Sequence, residues 1–341
     1  MPRSADEFML AIIDYAGLFP PAKLPLEPAL RNFATYRNGV HSHRLGRFIC
    51  PAGRLGELDA YADELFRADE APWRFSALGS SGSDAESFAA GLAGDVEAMR
   101  DFMEAHGGRA ITEAIETRLP GSVVTNRDGA ATQALVRQTA DAVRSLDAHL
   151  PAGAVQVFIE IPFLGEWRYN ARSAISAVAA YNAETSATEH GNPVGVKIRT
   201  GGAKASMIPS TEQVAFFIHN CREKQVRFKA TAGLHHPLRH DSSELDQQAG
   251  SAGVKTKMHG FLNVFGAAIL SGASDLSEST LREMLEDESS ASFSFDDQGL
   301  RWHDHSATTD QITRVRREFA ISFGSCSFTE PIEDLQKLGL L

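Results

Sequence analysis

The chain has 341 residues, of which 43% are hydrophobic and 23% charged, a composition typical of a globular protein with a large core. The formal net charge of −11 at pH 7 argues against nucleic acid and anionic membrane surfaces as partners. No apolar run approaches the roughly 20 residues of a membrane-spanning helix, and no secretory leader is recognisable. Because the 3 cysteines are odd in number and far apart, we expect no disulfide framework and a cytoplasmic protein.

Short strand-like runs alternate with helical patterns along almost the whole chain. Most of the runs are bounded by Gly or Pro, and several are rich in Val, Ile and Phe. The runs are residues 11–17, 47–51, 74–79, 110–116, 155–161, 194–201, 227–233 and 320–325. Between them, apolar residues recur at the three- and four-residue spacing of amphipathic helices. This alternation predicts an α/β fold, a single (β/α)8 TIM barrel over residues 1–341. No G-x-G-x-x-G motif supports an open nucleotide-binding sheet instead.

Two segments depart from the simple alternation. Residues 291–304, ASFSFDDQGLRWHD, have two strand-like halves around an Asp-Gln-Gly turn and predict a β-hairpin inserted before the last strand. Residues 238–258 are polar, carry Gly and Ser, and directly follow the seventh predicted strand. A loop of this length is typical of a lid or of a disordered segment, and in a barrel it would hang over the site because it follows strand seven.

Two neighbouring predicted strands, VGVKIRTG and RFKATAG, each carry a lysine among apolar residues. Because side chains alternate along a strand, Lys197 and Arg199 share one face, and Lys229 and Thr231 share the corresponding face of the next strand. Each lysine precedes a glycine by four positions, so the two amines are predicted to lie at similar depth. Two close, buried cations would lower each other's pKa and leave a neutral, nucleophilic amine. Alternatively, each lysine pairs with a buried carboxylate.

The segments VKIRTGG and FKATAGL resemble the two lysine strands of class I aldolases of the deoxyribose-phosphate aldolase type. In that family the strand-six lysine forms a Schiff base, which Lys197 matches, and the strand-seven lysine tunes it, which Lys229 matches. The run GSCSF (324–328) is similar to the turn that holds a phosphate in such enzymes. The sequence departs from the family at Arg199, where a small hydroxyl residue is usual, and lacks a match for the acidic proton-relay residue.

Other polar residues near strand ends complete the predicted site. Glu116 and Glu160 are candidates to move protons or to neutralise a lysine, and one of the adjacent His235 and His236 is expected to carry a proton. Asp14 either binds substrate or acts as a turn residue. The anionic end of the substrate is predicted to be bound by the following residues: Arg199, Thr231, Gly201, Gly324 and Ser325.

The sequence therefore predicts a Schiff-base aldolase or lyase that acts on a small oxo or hydroxy acid, or a sugar phosphate, with Lys197 as nucleophile. This mechanism requires no organic cofactor, and a homo-oligomer is left open. One alternative is a metal-dependent lyase, isomerase or hydrolase with a divalent ion at His235, His236 and Glu160. A second alternative is a non-catalytic barrel that binds a metabolite or a partner protein.

Overall fold

The computed structural model describes residues 2–126, 128–148, 155–185, 193–202, 204–242 and 256–341. Eight parallel strands form a closed barrel in the order β1-β13-β7-β6-β5-β4-β3-β2. They are β1 (Ile13–Tyr15), β2 (Leu45–Pro51), β3 (Trp73–Ser81), β4 (Ala110–Arg118), β5 (Gln156–Glu160), β6 (Gly195–Arg199), β7 (Phe228–Thr231) and β13 (Ala320–Ser325). Each predicted run overlaps one of these strands, so the (β/α)8 barrel is confirmed.

Twelve α-helices lie in the described residues. They are α1 (Arg3–Met9), α2 (Leu26–Arg37), α3 (Asp59–Leu65), α4 (Ala85–His106), α5 (Gly121–Thr125), α6 (Gly129–Arg144), α7 (Trp167–Thr185), α8 (Thr211–Glu223), α9 (Phe261–Ala273), α10 (Glu278–Glu286), α11 (Thr309–Glu318) and α12 (Thr329–Lys337). Among them, none combines the length and hydropathy that a membrane crossing requires. Capping explains several boundaries: α4 begins with a capping box between Asp84 and Ser87, and its C-cap Gly107 has a φ of 53°.

Helix α9 is the main element that the spacing of apolar residues in the sequence does not predict. Eleven of its 13 residues are buried, including Asn263, whose side chain donates to the carbonyl oxygens of Met284 and Asp287. A helix that is apolar all round carries no amphipathic signal, because the three- and four-residue spacing arises only when one face is polar. Its burial is therefore a property of the fold that the sequence pattern does not reveal.

Residues 291–304 contain β10 (Phe293–Phe295) and β11 (Gly299–Trp302), which pair antiparallel as predicted for a hairpin. A third strand, β12 (His305–Thr308), extends the pair to a three-stranded sheet before α11. The Asp296 side chain accepts the backbone N–H groups of Gln298 and Gly299 and so fixes the predicted turn.

The predicted lid, residues 238–258, lies partly outside the described residues, because 243–255 are not described. The described ends of the segment form two short antiparallel strands, β8 (His240–Asp241) and β9 (Lys257–Met258). The Lys257 ammonium lies 2.8 Å from carboxylate oxygens of Asp241 and of Glu288. The function of the segment as a lid remains a prediction.

The chain divides into two compact units. The first unit comprises Met1–Lys23, Gly39–Leu45 and Ile198–Leu341, and the second comprises Leu24–Asn38 and Gly46–Lys197. The core of the second unit is an aromatic cluster, in which Trp73 contacts Phe33 and Phe66 with ring centroids 5.2 Å apart. In the first unit Phe228 packs edge-on against Phe217 and Phe319. The single-domain organisation remains a prediction.

Candidate active site

The side chain of Lys197 lies at the centre of a buried ionic cluster in the second unit. Its Nζ is 3.1 Å from a carboxylate oxygen of Glu116 on β4 and 3.1 Å from one of Glu160 on β5. Lys197 pairs directly with Glu160 in the β5–β6 register, and the side chains of Lys197, Glu116 and Glu160 are at most 5% exposed. Ser76 on β3 donates a 2.7 Å hydrogen bond to the second oxygen of Glu116. Four neighbouring strands thus bring these polar groups to one face of the sheet.

The electrostatics of this cluster correct the expectation of a lowered pKa at Lys197. Burial disfavours the ammonium form, but the attraction of Glu116 and Glu160 and their hydrogen bonds to Nζ outweigh it. The pKa of Lys197 is therefore raised above its ordinary value. At neutral pH the resting side chain is a cation held between two acids, and a proton must leave it before it can act as a nucleophile.

Arg118, at the end of β4, borders this cluster and was missed from the sequence because it follows the predicted run 110–116. It lies on the same side of the strand as Glu116, two residues further toward the carboxyl end, and its Nε is 3.5 Å from Glu160 Oε1. Its side chain is 50% exposed. Each carboxylate oxygen of Glu160 therefore has a cation next to it, because Arg118 contacts Oε1 and Lys197 contacts Oε2.

The second lysine has its own acid in the first unit. Lys229, on β7, is fully buried, and its Nζ lies 2.7 Å from Asp14 Oδ2 on β1. Ser322 on β13 donates a 2.6 Å hydrogen bond to the same oxygen. Asp14 is consequently a buried ion-pair partner, and the interpretation of Asp14 as a turn residue is wrong. Each lysine is held by carboxylate oxygens, so the idea that the role of Lys229 is to lower the pKa of Lys197 has no support.

The two adjacent histidines have different surroundings. His235 lies at the ends of β7 and β13, with Nδ1 3.4 Å from Ser325 Oγ and 3.3 Å from Glu330 Oε2. The Cys326 sulfur is 3.8 Å from each of its ring nitrogens. His236 is more exposed, and its Nδ1 lies 2.6 Å from Asp334 Oδ2 on α12.

His235, His236 and Glu160, the ligands of the alternative metal-dependent mechanism, lie in the part of the chain that the structure describes. There, no group of three or more His, Cys, Asp or Glu side chains is arranged to hold an ion. His235 and His236 instead contact Glu330 and Asp334, which both belong to α12. A metal-dependent mechanism at these residues remains a prediction.

The residues predicted to bind the anionic end of the substrate lie at or near strand ends. Gly324 pairs with Asp14 and with Thr231, and Ser325, the last residue of β13, is buried and accepts the backbone N–H of Ser327. Arg199 ends β6 and is partly buried. A Cβ on Gly201 would lie 2.8 Å from the Cα of Gly233, so this glycine is required for the close approach of two backbones. Anion binding by these residues remains a prediction.

No protein-family model and no curated protein matches the sequence. Among solved structures, the chain is similar to the tetrameric deoxyribose-phosphate aldolase from Aeropyrum pernix. The match has 11% sequence identity and a TM-score of 0.42, and it covers 68% of this chain and 80% of that one. A structural similarity this weak does not indicate what activity the protein has.

Proposed function

We propose that the protein is a Schiff-base-forming lyase that acts on a small carbonyl compound, with Lys197 as the nucleophile. The observation that carries this proposal is the position of Nζ, 3.1 Å from two carboxylates inside the protein. An amine nucleophile needs a base within hydrogen-bonding distance to accept its proton, and Lys197 has two. One carboxylate balances the ammonium, and the other is available as the proton acceptor.

In the proposed reaction, Glu116 or Glu160 first takes a proton from Lys197. The neutral amine attacks the carbonyl carbon, and the carbonyl oxygen receives a proton to give a carbinolamine. The same carboxylic acid then protonates the hydroxyl, which leaves as water, and an iminium forms between Nζ and the substrate carbon. The bond between the α- and β-carbons next to the iminium then breaks, its electron pair moves to the iminium to give an enamine, and the β-hydroxyl gives its proton to a carboxylate so that the β-fragment leaves as an aldehyde. Protonation of the α-carbon of the enamine and addition of water return the free lysine and the second carbonyl product.

Reductive trapping tests the proposal. Borohydride added with a panel of small oxo acids, aldehydes and ketones should fix an adduct with the mass of the carbonyl compound minus water plus two hydrogens. Peptide mapping should locate it on Lys197. Lys197→Arg keeps a cation between the acids but provides no nucleophile, so it should abolish the adduct. The matched control is Lys229→Arg, which should retain it. An adduct that persists in Lys197→Arg contradicts the proposal.

A second candidate is a non-catalytic barrel that binds a metabolite or a partner. It is favoured by the ion pairing itself, since both Lys197 and Lys229 are held by acids and such networks also occur in structural roles. In that case no carbonyl compound would be trapped on any buried lysine. Substitution of Glu116 would then change only the free energy of unfolding.

A further inference from the structure

Arg118 has hydrogen-bonding capacity that its protein contacts do not use. Its one ion pair in the described residues, to Glu160, runs through Nε at 3.5 Å. The two terminal nitrogens of the guanidinium make no hydrogen bond there, although a guanidinium presents five N–H donors in a planar fork. Half of the side chain is exposed, so these donors are accessible from solvent. A planar fork of this kind matches the two oxygens of a carboxylate.

The contacts to Glu160 also limit how far Arg118 is from Lys197. Glu160 binds Arg118 Nε through one oxygen and Lys197 Nζ through the other. Because both oxygens belong to one carboxylate, the two nitrogens are no more than roughly 9 Å apart. A ligand that is hydrogen-bonded to Arg118 and covalently attached to Lys197 must therefore be short.

We propose that Arg118 binds the carboxylate of a short oxo acid whose carbonyl carbon reacts with Lys197. This inference rests on the proposed function and assigns its substrate class. The terminal nitrogens of Arg118 lie about 2.3 Å beyond Nε, so they are no more than roughly 11 Å from Nζ. After about 2.8 Å for a charge-assisted hydrogen bond and about 1.5 Å for the new C–N bond, at most roughly 7 Å remains between the carboxylate oxygen and the carbonyl carbon. Oxo acids with the carbonyl at carbon 2 or 3 fit this span.

Binding of the substrate carboxylate would also prepare Lys197 for reaction. When Arg118 turns to the incoming anion, Glu160 loses one of its two cationic neighbours and becomes a stronger base. The proton that Lys197 shares with Glu160 then moves more readily to the acid, and the amine is released as a nucleophile. The resting ion pair and the reactive amine are thus two states of one cluster, and the ligand selects between them.

The test compares a charged and a neutral carbonyl compound of the same size. Trapping by borohydride is measured against the concentration of pyruvate or of acetone in the parent protein, in Arg118→Gln, and in Arg144→Gln as the matched control. Arg144 is an exposed arginine paired with Asp141 at 2.9 Å, away from the cluster. Arg118→Gln should raise the half-saturating pyruvate concentration about 10- to 100-fold, the loss expected for a charge-assisted hydrogen bond. It should leave that of acetone within about 2-fold, and Arg144→Gln should change neither.

Two results would overturn the assignment. One is an unchanged half-saturating concentration of pyruvate in Arg118→Gln, and the other is an equal rise for pyruvate and acetone. If the parent protein traps neither compound, the proposed function fails, and the carboxylate site is then judged by calorimetry with oxamate, which matches pyruvate in shape. Oxamate binding that weakens about 10- to 100-fold in Arg118→Gln supports the site, whereas no binding of millimolar oxamate to the parent protein refutes it.

Discussion

Removal of the Lys197 charge tests the ionic cluster most directly. Lys197→Met keeps a chain of similar length and leaves Glu116 and Glu160 without the ammonium that lies 3.1 Å from each. Loss of one partner from a buried ion pair costs about 3 to 5 kcal/mol, so we expect a decrease of this size in the free energy of unfolding at pH 8. The two contacting oxygens can be no more than about twice 3.1 Å, roughly 6 Å, apart, and at an effective dielectric constant of 20 their repulsion is about 3 kcal/mol.

This repulsion gives the variant a distinctive pH dependence. One carboxylate of Lys197→Met can relieve it by binding a proton in the folded state, at a pH where glutamates of the unfolded chain are still ionised. The folded variant then binds more protons than the unfolded chain, so its free energy of unfolding rises as the pH falls from 8 to 5. The gain should approach about 3 kcal/mol, and the parent protein should show no such gain.

Urea unfolding followed by circular dichroism at pH 8, 6.5 and 5 measures both effects. The double variant Lys197→Met/Glu116→Gln removes the repulsion together with the ammonium, so it should regain stability at pH 8 and lose the pH dependence. A Lys197→Met variant that is as stable as the parent protein at pH 8 would refute a cluster held together by charge. A penalty with no pH dependence would show that the cost comes from packing alone.

Three further predictions follow from individual residues. Because Glu116 or Glu160 takes the proton of Lys197 in the proposed reaction, the rate of adduct trapping should change little from pH 7 to 9; a rise of about tenfold per pH unit, measured by mass spectrometry, would show that the proton leaves to solvent and would contradict an internal base. Burial lowers the pKa of His259 from 6.5 to about 4, so stability should fall by about 3 kcal/mol as pH drops from 6.5 to 4. His259→Gln should reduce that loss in urea titrations at pH 7.5 and 4.5. Gly201→Ala forces a Cβ against the Gly233 backbone and should cost about 1–3 kcal/mol by thermal unfolding, whereas Gly53→Ala, with no atom within 4 Å of the added carbon, should cost little.

The barrel could be predicted from the sequence because buried strands and amphipathic helices have different periods. The strand containing Lys197 illustrates this: flanking Val196 and Ile198 are fully buried, and alternation indicates that the lysine lies on the other face. The alternation of side chains along a strand does not show which residue pairs with a buried charge. The acids that hold Lys197 come from strands more than 35 residues earlier in the chain, and only the barrel order brings them to it.

Strand four carries an irregularity that the sequence pattern does not reveal. Glu113 and Glu116 should point to opposite faces of a regular strand. The β3–β4 register shifts here, because Phe75 pairs with Thr112 whereas Ser76 pairs with Ala114. Glu113 is the extra residue at this irregularity, and its carboxylate contacts Arg74 at 2.8 Å. A β-bulge of this kind leaves no signal in a hydrophobic pattern, because it inserts one residue without changing the composition.

The pairing of β1 with β13 has a consequence for biosynthesis. Asp14 leaves the ribosome 308 positions before its partner Ser322. The Asp14 carboxylate therefore stays solvated until the segment that carries β13 has been made. Contacts of such high sequence separation slow folding, since the loop that they close is long. A nascent chain stalled before residue 320 should remain sensitive to proteases at its amino terminus.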